Sequence, residues 1–234
     1  MGEKETPFLS EYQKRARFRV ILERRSGRRR RAAVHPPSLW QRLTERLRGR
    51  EQLLLRPGEG FPLLLLTYPK GSAAAAHEIQ SILGRRLPRL PQRLLEPYRR
   101  VLAALPAMVV VVLRPRNACG CLGHFHPRGA ESRLARRLAS DLGSYVGEVD
   151  LAWEEIRDWR PHPISALAAG DLGERLEALH FEAALLAVFL HELEHIAFPD
   201  RGERDIRSAS NAFYLSLMQE LVAAEGGPGY GMNS

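Results

Sequence analysis

His191 and His195 stand four residues apart in the segment His191-Glu192-Leu193-Glu194-His195. On a helix, positions four apart lie one above the other, so two imidazole nitrogens can meet a single ion. Glu192 is rotated by about 100° from His191 and can reach the open position beside such an ion, where a carboxylate takes a proton from water. The spacing predicts a zinc site with His191 and His195 as ligands and Glu192 as catalytic base. Glu194 is expected to face elsewhere.

Catalytic zinc sites use three protein ligands and leave one position for water, so a third ligand is required. The segment Phe198-Pro199-Asp200-Arg201-Gly202-Glu203-Arg204-Asp205 follows directly. Pro199 must stop the helix, and Asp200 with Glu203 has the spacing of a capping box opening the next one. If that helix folds back beside the first, a residue about one turn in reaches the depth of the histidines, which favours Asp205 and permits Glu203. One of the two is expected to bind. Upstream, Cys119-Gly120-Cys121-Leu122-Gly123-His124-Phe125-His126 gathers further ligand types. Its cysteines are too close together for the usual structural zinc spacing and cannot staple distant parts of the chain. The segment reads instead as a glycine-rich loop lining a substrate cleft, with His124 or His126 near the reacting carbonyl.

The elements that must position these residues follow from periodicity. Phe181 to Phe198 is apolar nearly all round, as a central buried helix should be. The three ionisable groups at its end would be costly there without a compensating ion. Asp200 to Ala224 reads as a last helix, and residues 226–234 as a flexible tail. Phe61 to Thr67 and Ala107 to Leu113 read as buried strands, and Glu148 to Trp153 alternates like a half-exposed one. Helices are expected over Trp40 to Leu54, Ala73 to Leu83 and Arg93 to Leu105, and a further strand over residues 16–24. Proline-rich Leu87-Pro88-Arg89-Leu90-Pro91 marks the expected boundary between a basic N-terminal α+β region, 1–90, and a catalytic domain, 91–225. The fold class expected is α+β, with a small mixed sheet and a buried metal-binding helix.

Charge is unevenly spread along the 234 residues. Residues 1–50 carry 15 Lys or Arg against 5 Asp or Glu, whereas residues 151–234 carry 6 against 14. The basic concentration peaks at Arg24, Arg25, Arg28, Arg29, Arg30 and Arg31, a run suited to nucleic-acid phosphates or to a solvated, self-repelling loop. Aromatic residues are sparse there, which argues against a base-stacking platform. The apolar runs are too short to cross a membrane and no secretory apolar stretch is seen, so a cytoplasmic protein is expected, without membrane partners.

From about residue 90 to 225, the order of helix, valine-rich strand, loop, strand and His191-Glu192-Leu193-Glu194-His195 resembles the minimal zincin metallopeptidases. It looks most like the SprT/Spartan-like group, and the resemblance implies an upstream strand that pairs with extended substrate. Ser210-Asn211-Ala212-Phe213 before Leu217-Met218 is also similar to the ImmA/IrrE-like peptidases, whose third ligand is an acidic residue near such a segment. The function expected is zinc-dependent hydrolysis of peptide bonds, on protein associated with nucleic acid. The alternatives are a metal-dependent endoribonuclease, similar to the YbeY-like enzymes in its upstream strand and spaced histidines, or a nucleic-acid-binding protein that keeps zinc for structure alone.

Overall fold

The structure is a computed structural model and describes residues 50–159 and 171–224. Strand β1 (Arg50–Leu55) leads to β2 (Leu63–Pro69), and helix α1 (Ala73–Arg86) follows. Short helices α2 (Gln92–Leu95) and α3 (Arg99–Ala104) precede β3 (Met108–Arg114). Then come β4 (Gly123–Phe125), α4 (Arg133–Leu142), β5 (Gly147–Ala152) and α5 (Trp153–Asp158). The long helices α6 (Asp171–Ala197) and α7 (Glu203–Ala224) complete the fold. It is α+β, around one mixed five-stranded sheet of order β1-β2-β3-β5-β4.

The three inner strands β2, β3 and β5 run parallel, and β1 and β4 are antiparallel edges. Leu63–Pro69 and Met108–Arg114 are near-continuous apolar runs because a parallel strand is covered on both faces. One face carries Leu64, Leu66, Val109, Val111, Val149 and Leu151, all essentially unexposed, beneath α6. The other carries Val110 and Val112 beneath α4, which contributes Ala135. From Leu179 through His195 helix α6 is buried on every side, as its uniform apolarity required. Cutting fully buried Phe189 back to alanine would cost about 3–5 kcal/mol. No helix among the described residues is long and apolar enough to cross a membrane.

Several expectations change. Residues 50–54 form strand β1 rather than the end of a helix, because Leu53 and Leu55 face the core from an edge strand. The rest of that expected helix, the strand over 16–24 and the tail over 226–234 lie outside the described residues. Pro97, which lacks an N–H, breaks the segment from Arg93 to Leu105 into α2, a 3-10 turn and α3. Strand β5 is buried along its whole length, not half-exposed, and Trp153 already begins α5. The Leu87 to Pro91 stretch is a tight 3-10 turn between helices α1 and α2, with Leu87 and Leu90 buried, and the strands before and after it in the chain share one sheet. Helix α4, absent from the expectations, has both ordinary boundary signals: the Ser132 hydroxyl accepts from the Ala135 N–H, and Gly143 closes it in the left-handed conformation.

Candidate metal centre

Helix α6 places His191 and His195 one turn apart at its C-terminal end, with ring centroids 4.9 Å from each other. Pro199 cannot continue the helix, and a short turn reverses the chain into α7. The Gly202 carbonyl accepts from the Ile206 N–H, so Gly202 caps α7 and Glu203 is its first helical residue. The capping box expected between Asp200 and Glu203 is not used. Instead the Glu203 carboxylate turns back over α6, 2.9 Å from His195 Nε2 and 3.5 Å from His191 Nε2. One atom each of His191, His195 and Glu203 lies within 4.8 Å of the others. Ligands held about 2.0–2.2 Å from tetrahedral zinc stand roughly 3.4 Å apart, so a small opening of the His195–Glu203 contact suffices for the ion. Asp205 is exposed and stays outside this group, because the tight turn brings the first residue of α7, rather than one further along, to the level of the histidines.

Helix α7 also supplies the supporting groups. The Ser210 hydroxyl donates to the Arg207 carbonyl at 3.1 Å and lies 3.2 Å from His191 Nδ1. With its own proton committed, that hydroxyl can accept from the Nδ1–H, the arrangement that would turn an Nε2 lone pair toward an ion held between His191 and Glu203. Arg207 Nη2 donates to Glu203 Oε1 at 2.8 Å. Burial would raise the Glu203 pKa, but the adjoining His191 and His195 rings, with Arg207, outweigh it and hold this carboxyl well below the usual range. Glu203, Arg207 and Ser210 occupy one stripe at i, i+4 and i+7, continued by the buried Tyr214, Leu217 and Leu221. Neither Arg207 nor Ser210 was anticipated as a site residue. Only this stripe, read outward from Glu203, could have indicated them.

Glu192 is 4 % exposed and faces β4. Its carboxylate accepts from the Phe125 N–H, and burial, followed by the charges of Glu203 and Asp150, pushes its pKa well above the ordinary carboxylate value. A carboxyl tuned upward beside two imidazoles is suited to taking and returning a proton. A Cβ at Gly123 would fall 2.4 Å from Glu192 Oε1, so only glycine lets β4 come this close. Phe125, one alternation further on, stacks on His195 with centroids 4.9 Å apart and planes 8° from parallel. The His195 Nδ1 is buried without a hydrogen-bond partner among the described residues, so stacking orients this ring. Glu194 points away and pairs with Arg201, as a structural residue.

His124 and His126 do not enter this centre. Gly123 and Phe125 face α6, so the alternation of the strand turns the intervening His124 to the opposite face. His126 lies 3.2 Å from Asp150 Oδ1 on that far side, where Arg114 Nε reaches Asp150 Oδ2 at 2.8 Å. The Ser132 N–H donates to Glu148 at 2.6 Å. His126, Glu148 and Asp150 thus form a second group whose atoms could hold a metal ion. Burial would lower the His126 pKa, but Asp150 and Glu148 raise it overall. For Asp150, burial is outweighed by His126 and Arg114, and its pKa falls. Cys119 and Cys121 are bonded to each other and close only a local turn. The arginines from Arg24 to Arg31 lie outside the described residues.

Comparison with known proteins supplies no relative: no family model, no curated protein and no solved structure matches the chain.

Proposed function

We propose that the chain is a zinc-dependent metallopeptidase of zincin-like fold, with His191, His195 and Glu203 as ligands and Glu192 as general base and acid. The observation that carries this reading is the convergence of two imidazoles and an ionised carboxylate beside a buried, upward-tuned glutamic acid. The donor set fits the ion: two histidines and a glutamate are a catalytic zinc set, and the bond to Ser210 presents the His191 tautomer that a metal needs. Zinc bound there supplies a Lewis acid that polarises a carbonyl and acidifies water.

The remaining work falls to the chain. Glu192 removes a proton from the attacking water and returns it to the leaving amine, and its shielding from solvent keeps the carboxyl basic enough for both steps. Phe125 holds one end of that carboxylate through its backbone N–H while stacking on His195, so one residue fixes base and ligand together. Strand β4 pairs with β5 along one side, and its outer edge suits the backbone of an extended substrate. The basic run from Arg24 to Arg31 supports substrates associated with nucleic acid.

The test uses the full chain, zinc content by elemental analysis, and hydrolysis of casein and of RNA, each with and without chelator. Chelator-sensitive cleavage of casein is expected. Glu192→Gln should keep its zinc and lose about 10²- to 10⁴-fold in rate. Zinc-loaded Glu192→Gln with undiminished hydrolysis sinks the mechanism, and cleavage of RNA alone replaces it with a nuclease.

A further inference from the structure

His124 and His126 stand two residues apart, and so do Glu148 and Asp150. Side chains two apart on a strand share a face, so each pair points to one side of the sheet. The register sets the pairs against each other. His124 lies opposite Asp150, and the His126 N–H, just past the end of β4, donates to the Glu148 carbonyl at 2.9 Å. Two imidazoles and two carboxylates therefore occupy one patch on the face turned away from α6, where facing residues stand about 4.5–5.5 Å apart at Cβ.

Burial sets this patch apart from a surface cluster. Glu148 is 2 % exposed and Asp150 6 %, and their register neighbours on β3 are the apolar Val110 and Val112. Two carboxylates in such surroundings need compensating positive charge. Arg114 holds Asp150 Oδ2, and the Ser132 N–H holds Glu148 Oε2. Asp150 Oδ1 and His126 Nε2 are buried, face each other at 3.2 Å, and have no hydrogen-bond partner among the described residues. One atom each of His126, Glu148 and Asp150 lies within 4.8 Å of the others. Ligands about 2.0–2.2 Å from an ion stand roughly 3–3.5 Å apart, so His126 and Asp150 already have the separation of neighbouring ligands. The exposed His124 ring, 5.3 Å from that of His126 between centroids, borders the group as a fourth donor.

We propose that His126, Glu148 and Asp150, with His124 beside them, hold a second zinc-class divalent cation on the face of the sheet opposite His191 and His195. Imidazole combined with carboxylate suits that class, whereas calcium takes six to eight oxygens. The site stands on its own residues and does not depend on the metallopeptidase reading. The ion ties the end of β4 to β5 and, through Glu148 and the Ser132 N–H, to the start of α4. Phe125, whose N–H reaches Glu192, lies between His124 and His126, so the ion braces from behind the strand that touches that carboxyl. In the metal-free chain a proton on His126 serves the same balance of charge, and the ion displaces it.

The test titrates zinc into the full chain stripped with chelator, counting bound ions by calorimetry and elemental analysis. Two zinc ions should bind to wild type. His126→Gln and Asp150→Asn should each lose one of them or weaken it at least about tenfold, and His191→Ala should keep the ion that those variants lose. Circular dichroism checks that each variant folds; if Asp150→Asn does not, His126→Gln, altered at a side chain 18 % exposed, decides alone. Zinc added to His191→Ala should also shift the ring proton signals of His126 in NMR spectra, which a purely structural His126–Asp150 pair would not show. Unmoved signals, or two ions in His126→Gln at wild-type affinity, overturn the second site. So does a single ion in wild type that His191→Ala removes. A single ion lost in His126→Gln and kept in His191→Ala upholds the second site and removes the metallopeptidase reading instead.

Discussion

Replacing Gly123 by alanine adds one methyl group where β4 meets Glu192. The new carbon would stand 2.4 Å from Glu192 Oε1 and 2.8 Å from both Glu192 Cγ and Val188 Cγ1, whereas ordinary contact begins near 3.4 Å. The carboxylate must therefore retreat by roughly 1 Å, or β4 must lift away and take the Phe125 N–H with it. A displacement of that size at a reacting group costs about 100-fold in rate, and overpacking costs about 1–3 kcal/mol of stability. For a chain of this length the loss of stability lowers Tm by roughly 2–12 °C. The three nearest atoms to the new methyl belong to Glu192 and Val188, so zinc content should change far less than rate. The assay is the rate of chelator-sensitive casein hydrolysis at equal zinc loading, with thermal melting in parallel. Gly147→Ala is the control: its Cβ would lie 2.8 Å from Ile196 Cδ1, the far end of a side chain that can turn aside. It should cost some stability and leave the rate alone. If Gly123→Ala keeps both the wild-type rate and Tm, β4 does not position the base and the reasoning fails.

The other predictions concern the ligands and the far face of the sheet. Ser210→Ala removes the acceptor behind His191 and should weaken zinc affinity about 10- to 100-fold, measured by competition with a chromophoric chelator. Glu203→Ala should lose zinc far more readily than Asp205→Ala; equal loss in both would put the third ligand elsewhere. His126 has its pKa raised in the fold, so its contribution to stability is complete below its unfolded value and fades as pH rises through the folded one. Asp150 has its pKa lowered, so its contribution is present above its unfolded value and fades as pH falls through the folded one. His126→Ala should therefore cost about 1–2 kcal/mol near pH 6 and less at pH 9, by urea denaturation at each pH. A pH-independent loss would contradict the pairing with Asp150.

What could be read from the sequence was whatever repeats along the chain. Helix α6 announces itself through 17 consecutive buried positions, Leu179 to His195, and the spacing of His191, Glu192 and His195 rides on it. Strand β4 is only three residues long, too short to show an alternation, and so passed for loop. With it went the placement of His124 and His126, which depends on which residue of β4 faces α6. Strand β5 does alternate, but the charged Glu148 and Asp150 are covered by His126, Arg114 and the Ser132 N–H rather than by water. A covered polar face and an exposed one have the same sequence pattern. Glu203 was visible as an acidic residue after a proline stop, but its advantage over Asp205 lies in the angle of a turn, which composition does not encode.

The stretch from His191 to Ser210 contains all three side chains of the candidate metal centre and the hydroxyl behind one of them, within a single helical hairpin. The partner of Glu192 is Phe125, 67 residues earlier in the chain and on another element. Under the proposed function, capture of an ion would need only contacts of short sequence separation, the kind that form early, whereas arming the base would wait for the edge of the sheet to dock. On that reading a nascent or partly opened chain would hold a metal while its glutamate is still idle, so that occupancy by the ion would report that two helices have met and catalysis that the whole fold has closed.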